Sequence, residues 1–334
     1  MAASAEHEHR PGGPLVGVDL GGTKVTAAAF TGGELGEPST APTDTDNDDE
    51  LIDQIVGLVD EVRTPDTVAV GLGVPSVIDF ATGRVKASVN VPLRDVPIRE
   101  LLGERLGLPV FVDNDANCAA LAEAHEGERL VVRDLVMFTV GTGVGGGLVL
   151  NGRPYRGATG AAAELGHGVI ALDLTDGAPA TRERFPQAGT LEDVAAGRAL
   201  DGLARTAARD APDSALGRLA ASGRELTGRD AVEAAREGDE AARRAVRLLG
   251  ERLGIGIANA INTFDPEVVA IGGGVSAAGD LLLEPARETA LRYVLPGVGE
   301  RTEIRLARYG PQAGLRGAAL LAGQELAAHE GGHA

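Results

Sequence analysis

The chain has 334 residues, 43% of them hydrophobic, and a formal net charge of −18. That length accommodates two domains with a sizeable core, and that charge makes free nucleic acid and anionic membrane surfaces poor partners. A single cysteine, Cys118, excludes an intrachain disulfide and a cysteine-rich zinc site. No run approaches the ~18 apolar residues of a membrane span. The polar start, MAASAEHEHRPGG, lacks the apolar core of a signal peptide. A soluble, cytoplasmic protein is expected.

Residues 1–14 read as a disordered tail. Residues 15–30 hold two apolar runs around Gly21-Gly22, the pattern of a hairpin. The acidic cluster from Asp44 to Glu50 leads into helical spacing over Leu51–Arg63. Thr67–Gly73 reads as a buried strand, Pro97–Gly107 as a helix and Pro109–Val112 as a short strand. Asp113-Asn114-Asp115 then opens a helix to about Glu126. A second strand–turn–strand unit covers 134–150, and 189–208 and 229–263 are mainly helical. Glu267–Ile271 is a strand running into Gly272-Gly273-Gly274, with a helix from about Asp280. A last strand near Glu303–Ala307 precedes a final helix over roughly 313–328. The repeated order of strands then helices predicts an α/β fold of two related halves.

Two glycine turns between strands carry most of the chemistry. One is Leu20-Gly21-Gly22-Thr23-Lys24, preceded by Asp19; the other is Gly141-Thr142-Gly143. Turns without Cβ atoms let backbone N–H groups approach a phosphate, and threonine adds a hydroxyl donor. Gly141-x-Gly143-x-x-Gly146 has the spacing of a dinucleotide fingerprint, but Gly147-Leu148-Val149-Leu150 continues as a strand instead of opening a helix. Either turn alone reads first as a tight hairpin with no ligand. The pair, with Gly272–Gly274 after a third strand, favours a bound polyphosphate. Asp113-Asn114-Asp115 needs only one residue for helix capping, which leaves room for a second role at a strand end. Glu164-Leu165-Gly166-His167 is open between a structural histidine and a ligand-binding pair.

Taken in order, VGVDLGGTKVTAAAF, VFVDNDANCAALAEA, VGTGVGGGLVLNG, ELGHG and AIGGGVS resemble the ROK family (repressors, open reading frames and sugar kinases), close to its glucokinase-like members, from about Val16 to Gln324. The resemblance implies an actin-like ATPase (ribonuclease H-like) fold, with a small N-terminal lobe over 15–116, a large lobe over 117–312, the last helix packed back on the first lobe, and a cleft between them. It implies that Asp19, Gly21, Gly22, Thr23, Lys24, Thr142 and Gly143 hold phosphates, with Asp19 near Mg²⁺, and that Gly272, Gly273 and Gly274 line the adenosine side of ATP. By the same resemblance Asp115 is the catalytic base, and Asn90, Asn114, Glu164, His167 and Glu192 contact the sugar. The implied reaction moves the γ-phosphoryl group to the primary hydroxyl of a glucose-like hexose. A homodimer is the implied assembly.

Two departures stand out. The family's CxCGxxGC zinc cluster falls between the ExGH histidine and the following glutamate, yet 168–189 contains no cysteine, so no zinc is expected and the loop must be held otherwise. The usual proline-glycine of the sugar loop reads Pro75-Ser76, which puts Ser76 at the substrate, and the loop from Asn90 is shortened. These changes keep an amino sugar of the kanosamine type or a C7-cyclitol open as the acceptor. Polyphosphate, a donor for glucokinases of related fold, stays open beside ATP, which Gly272–Gly274 favours. A repressor-type or non-catalytic sugar-binding member is disfavoured: no helix-turn-helix fits ahead of Val16, and Asp115 and both turns are present.

Overall fold

The computed structural model describes residues 13–88 and 91–331. Asn90 and residues 1–12 of the tail lie outside the described residues. The chain divides into two compact units. Unit 1 takes the described residues up to Val131, then Gly152–Ala162, then Pro311 onward; unit 2 takes Val132–Asn151 and Ala163–Gly310.

Unit 1 begins with the hairpin β1 (Leu15–Leu20) and β2 (Lys24–Thr31), antiparallel and in register from Leu15↔Phe30 to Leu20↔Val25. Short strands β3 (Glu34–Leu35) and β4 (Ser39–Pro42) both pair with β2. Helix α1 (Asp48–Val62) is capped by Asn47, whose side chain accepts from the Glu50 N–H at 2.8 Å. The acidic residues Asp48, Asp49 and Glu50 form its first turn, where the helix dipole favours negative charge. Strand β5 (Ala69–Val74) lies parallel to β1, and β9, described below, lies parallel to β5. Between them, β6 (Ser76–Asp79), β7 (Arg84–Ser88) and β8 (Arg94–Val96) form a small antiparallel sheet, which the sequence reading did not anticipate. Helix α2 (Ile98–Leu106) leads to β9 (Val110–Asn114), and α3 (Asp115–Glu123) starts at its last residue's cap. A two-stranded hairpin, β10 (His125–Glu126) and β11 (Arg129–Leu130), ends this stretch.

Unit 2 repeats the plan. Strands β12 (Leu135–Val140) and β13 (Val144–Leu150) form an antiparallel hairpin. The chain then visits unit 1 with β14 (Arg153–Pro154) and returns at Ala163. Helices α4 (Leu191–Ala195), α5 (Gly197–Asp210), α6 (Ala215–Ala221), α7 (Gly228–Arg236) and α8 (Glu240–Phe264) follow. Strand β15 (Val268–Gly272) is parallel to β12; after α9 (Asp280–Tyr293), β16 (Glu303–Leu306) is parallel to β15. Thus each unit carries an antiparallel hairpin continued by two parallel strands, β2-β1-β5-β9 in one and β13-β12-β15-β16 in the other. Each has its own buried core, built on Val16, Val18, Leu72 and Val112 in unit 1 and on Val136, Phe138, Leu253 and Ile271 in unit 2.

The last helix, α10 (Ala313–Gly331), belongs to unit 1. The sequence reading puts the change of lobe at residue 116; the structure keeps α3 with the first sheet and changes over after Val131. The reason is packing. Backbones of α10 and α3 meet so closely that a Cβ at Gly317 would lie 1.6 Å from the Cys118 carbonyl oxygen. Among the described residues no helix is long and apolar enough to cross a membrane.

Candidate active site

Unit 1 carries Asp19, Asp115 and the first glycine turn. Asp19 ends β1 one residue before the first glycine turn, and its carboxylate lies in the first turn of α10. Only a residue without Cβ fits opposite it: a Cβ at Gly314 would be 2.7 Å from the Asp19 Cγ. Burial pushes the Asp19 carboxyl up to about 6; the Asp115 charge pushes the same way, and the Lys24 ammonium partly offsets both. Asp115 is the first residue of α3, and its Oδ1 accepts from the Ala116 N–H at 2.8 Å. A nearby cation would favour the charged form of a carboxylate buried in this way.

Asn114 caps α3: its Oδ1 accepts from Ala116 N at 2.9 Å and Asn117 N at 3.3 Å, while its Nδ2 donates to the Ser76 carbonyl at 3.3 Å. So the cap, not a free side chain, fixes where Asn114 sits, and the same residue ties β6 to the start of α3. Ser76 itself is buried at the start of β6, opposite Ser88 of β7.

The first glycine turn closes through Gly21 N–H donating to the Lys24 carbonyl at 2.9 Å. Thr43 fastens it from outside, its hydroxyl donating to the Gly21 carbonyl at 2.7 Å and its N–H to the Thr23 carbonyl at 3.1 Å. Thr23 and Lys24 are exposed. The second turn, on unit 2, is one residue tighter and is also fastened from outside. Gly141 N–H donates to the Gly143 carbonyl at 2.9 Å, Gly197 N–H takes the Gly141 carbonyl at 2.8 Å, and Arg198 Nε takes the Thr142 carbonyl at 3.3 Å. With its carbonyls occupied, this turn presents backbone N–H groups and the Thr142 hydroxyl, the composition of an anion nest.

Glu192 braces that second turn. Its Oε2 accepts from Val144 N at 2.9 Å, and Arg198 lies 3.6 Å from its Oε1. A Cβ on Gly143 would stand 2.4 Å from the Glu192 Oε2. Gly143→Ala is therefore expected to dislodge Glu192 and, on the phosphate-holding role that the family resemblance implies for this turn, to lower kcat/KM for ATP about tenfold or more, since small displacements of a positioned group are costly. A steady-state ATP titration of the variant, with its melting curve, checks this; kcat/KM within twofold of wild type would show that the brace is dispensable.

A cavity of about 770 Å³ in unit 2 adjoins the turn, lined by Gly141, Thr142, the first residues of α5 and α7, and Gly274. Its size suits a small-molecule ligand, and helix N-termini favour anions. Of the three glycines after β15, Gly274 alone lines it. Gly272 ends β15 among Met137 and Ala307, and Gly273, at φ +83°, lies where a Cβ would strike the Val140 backbone. The sequence reading missed Thr227, Arg229 and Glu233 on the α7 side. The readable signal was Thr227-Gly228-Arg229-Asp230, which forms a reciprocal capping box.

Glu164 and His167 bracket a turn of 3₁₀ helix, with the carboxylate Oε2 3.7 Å from His167 Nε2. His167 packs edge-on against Phe185 at 5.2 Å, and its buried Nδ1 has no hydrogen-bond partner among the described residues. In the cysteine-free interval, polar contacts tie the loop. Arg182 Nη1 meets Asp193 Oδ1 at 2.6 Å, and the Gln187 side chain bonds both the N–H and the carbonyl of Arg182, at 2.7 and 2.9 Å. Ile170 and Ala171 N–H groups share the Gly189 carbonyl at 2.8 and 3.0 Å.

Comparison with known proteins gives the family and the fold. The ROK family profile matches residues 15–325. A glucokinase of Halalkalibacterium halodurans is 36% identical over 93% of this chain and 95% of its own length. The crystal structure of a Streptomyces griseus ROK family glucokinase in complex with glucose and AMPPNP superposes with a TM-score of 0.74 at 34% identity, covering 93% of this chain and all of that one. A ROK hexokinase from Thermus thermophilus gives 0.72 at 36% identity over 94% and 99%. The fold is the actin-like ATPase fold of sugar kinases. The chain belongs to the ROK family.

Proposed function

We infer that the chain is an ATP-dependent hexose kinase, a phosphotransferase with a hydroxyl acceptor. The observation that carries this reading is the pair of glycine turns, one in each unit, each with carbonyls taken up by residues outside the turn, and with Asp19 one residue before the first. The glucokinase relatives, one of them seen with glucose and AMPPNP, support ATP as donor and a glucose-like hexose as acceptor.

In this reading the cavity beside Thr142 takes the nucleotide, and the two turns hold its phosphates. Mg²⁺, held with the phosphates at Asp19, would supply positive charge against the oxygens of the transferred group. Asp115 orients the primary hydroxyl and accepts its proton as the new P–O bond forms and the β–γ bridging bond breaks. The transition state of phosphoryl transfer is loose, so the hydroxyl loses its proton late and a carboxylate of ordinary basicity suffices. Asn90, Asn114, Glu164, His167 and Glu192 remain the proposed sugar contacts. Their donors and acceptors match vicinal hydroxyls, and a site of this kind discriminates against analogues lacking one.

A coupled assay with ATP across glucose, mannose, N-acetylglucosamine, kanosamine and a C7-cyclitol tests the reading. Glucose with the highest kcat/KM is the expected outcome. An amino sugar or cyclitol preferred by tenfold or more would move the acceptor to that class, consistent with serine in place of glycine at residue 76. Replacing ATP with polyphosphate in the same assay tests the donor. A homodimer is part of this proposal; exposed Leu291, Tyr293 and Leu295 at the end of α9 would suit a second copy, and light scattering tests it.

A further inference from the structure

The segment that leaves unit 2 after Asn151 and returns at Ala163 brings an arginine under the start of α3. Arg156 Nε donates to Asp113 Oδ2 at 2.6 Å, and its Nη2 lies 3.1 Å from Glu325 of α10. The guanidinium lies over the Phe80 ring, 3.4 Å from its centroid. Its Asp113 partner is 4% exposed at the side chain. The other Asp113 oxygen accepts from Asn114 N at 2.8 Å and from Asn117 Nδ2 at 2.9 Å. Asp113 thus grips the α3 start through the backbone of the N-cap and a buried side chain in the first turn. The remainder of the segment is tied to the small sheet: Lys86 Nζ donates to the Thr159 carbonyl at 3.0 Å, and Gly160 lies against the Ile78 carbonyl.

We propose that Arg156 is a positioning residue for phosphoryl transfer, setting the angle of the first turn of α3, and with it the Asp115 carboxylate, through the Arg156–Asp113–Asn117 bracket. The inference rests on the reading of Asp115 as the base. Arginine is suited to the task because its planar fork meets Asp113 and Glu325 at once while stacking on Phe80; lysine offers a single ammonium and cannot hold all three. Without the guanidinium, buried Asp113 loses its ion pair and keeps only the charge of Arg99, which is itself bonded to the Phe80 and Ala81 carbonyls, so it rearranges together with the N-cap it holds. The donor cavity has no part in the bracket, so ATP binding is unaffected.

Steady-state kinetics of Arg156→Lys and Arg156→Ala, with melting curves and Asp115→Asn as reference, test this. Arg156→Lys is expected to melt within a few degrees of wild type and to lose kcat about tenfold, with KM for ATP changed less than twofold; Arg156→Ala loses about thirtyfold. If the alanine variant does not fold, the lysine variant carries the test. A folded Arg156→Lys with kcat within twofold of wild type, beside an inactive Asp115→Asn, overturns the bracket and leaves the base standing. An active Asp115→Asn overturns the base reading itself, and this inference with it.

Discussion

Asp115→Asn lowers kcat for the hexose by about 10³-fold while leaving KM for ATP within twofold of wild type. Asparagine has the shape of aspartate and keeps an oxygen for the Ala116 N–H that Asp115 Oδ1 accepts at 2.8 Å. The cap itself is made by Asn114, so α3 begins as before. The substitution removes only the negative charge that orients the hydroxyl and takes its proton. Turnover measured at saturating ATP and hexose, with a melting curve to confirm the fold, decides the matter. A variant keeping more than a tenth of wild-type kcat removes Asp115 from the chemistry.

Asp19→Asn inactivates the enzyme and at the same time stabilises the ligand-free protein above pH 6. The Asp19 carboxyl is raised from its ordinary 3.8 to about 6, chiefly by burial. Between those values the folded protein holds a proton that the unfolded chain has released, so stability falls as pH rises through this window. The shift corresponds to at most ~3 kcal/mol, fully expressed above the folded value and absent below the unfolded one. Asparagine has no charge to desolvate, so the variant should lose this part of the pH dependence and melt several degrees higher at pH 7.5. Mg²⁺ with ATP should raise the melting temperature of wild type more than that of the variant, because the cation offsets the same buried charge. Parallel melting curves from pH 4 to 8 for the two proteins, without metal, would contradict this account of Asp19.

The elements with strong periodicity were legible because each carries its own signal. The hairpins around Gly21-Gly22 and Gly141–Gly143, the helix opening at Asp115 and the strand before Gly272 all stand where the sequence puts them, within a few residues. The small sheet β6-β7-β8 was not legible; its three- to five-residue strands hold few consecutive apolar residues and depend on pairing with one another. The changeover between units was misplaced for a similar reason. Nothing local to Asp115–Glu123 says that α10, two hundred residues on, packs against it.

Within the candidate site, the turns were visible as glycine patterns, but what fastens them was not. Thr43 and Arg198 are ordinary residues until the fold brings them to the Gly21 and Thr142 carbonyls. Asp113 was quoted as one of three capping candidates, yet its partner Arg156 lies forty-three residues away and no spacing rule connects them. Glu192 entered by resemblance as a sugar contact; the structure adds that its carboxylate already supports Val144 N–H.

The order of synthesis is at odds with the order of assembly. Strands β1 and β5, made early in synthesis, are covered by α10, made more than two hundred residues later: Cβ atoms at Gly17 and Gly71 would collide with the Leu315 and Ala318 carbonyls of α10. Unit 2 can complete its core once Gly310 has emerged, whereas unit 1 waits for α10 with Val16, Val18 and Leu72 incompletely covered. A nascent chain of this kind has a late window in which an apolar sheet is open to chaperones or to aggregation. Truncation before Pro311 should therefore yield an insoluble first unit beside a second that still folds.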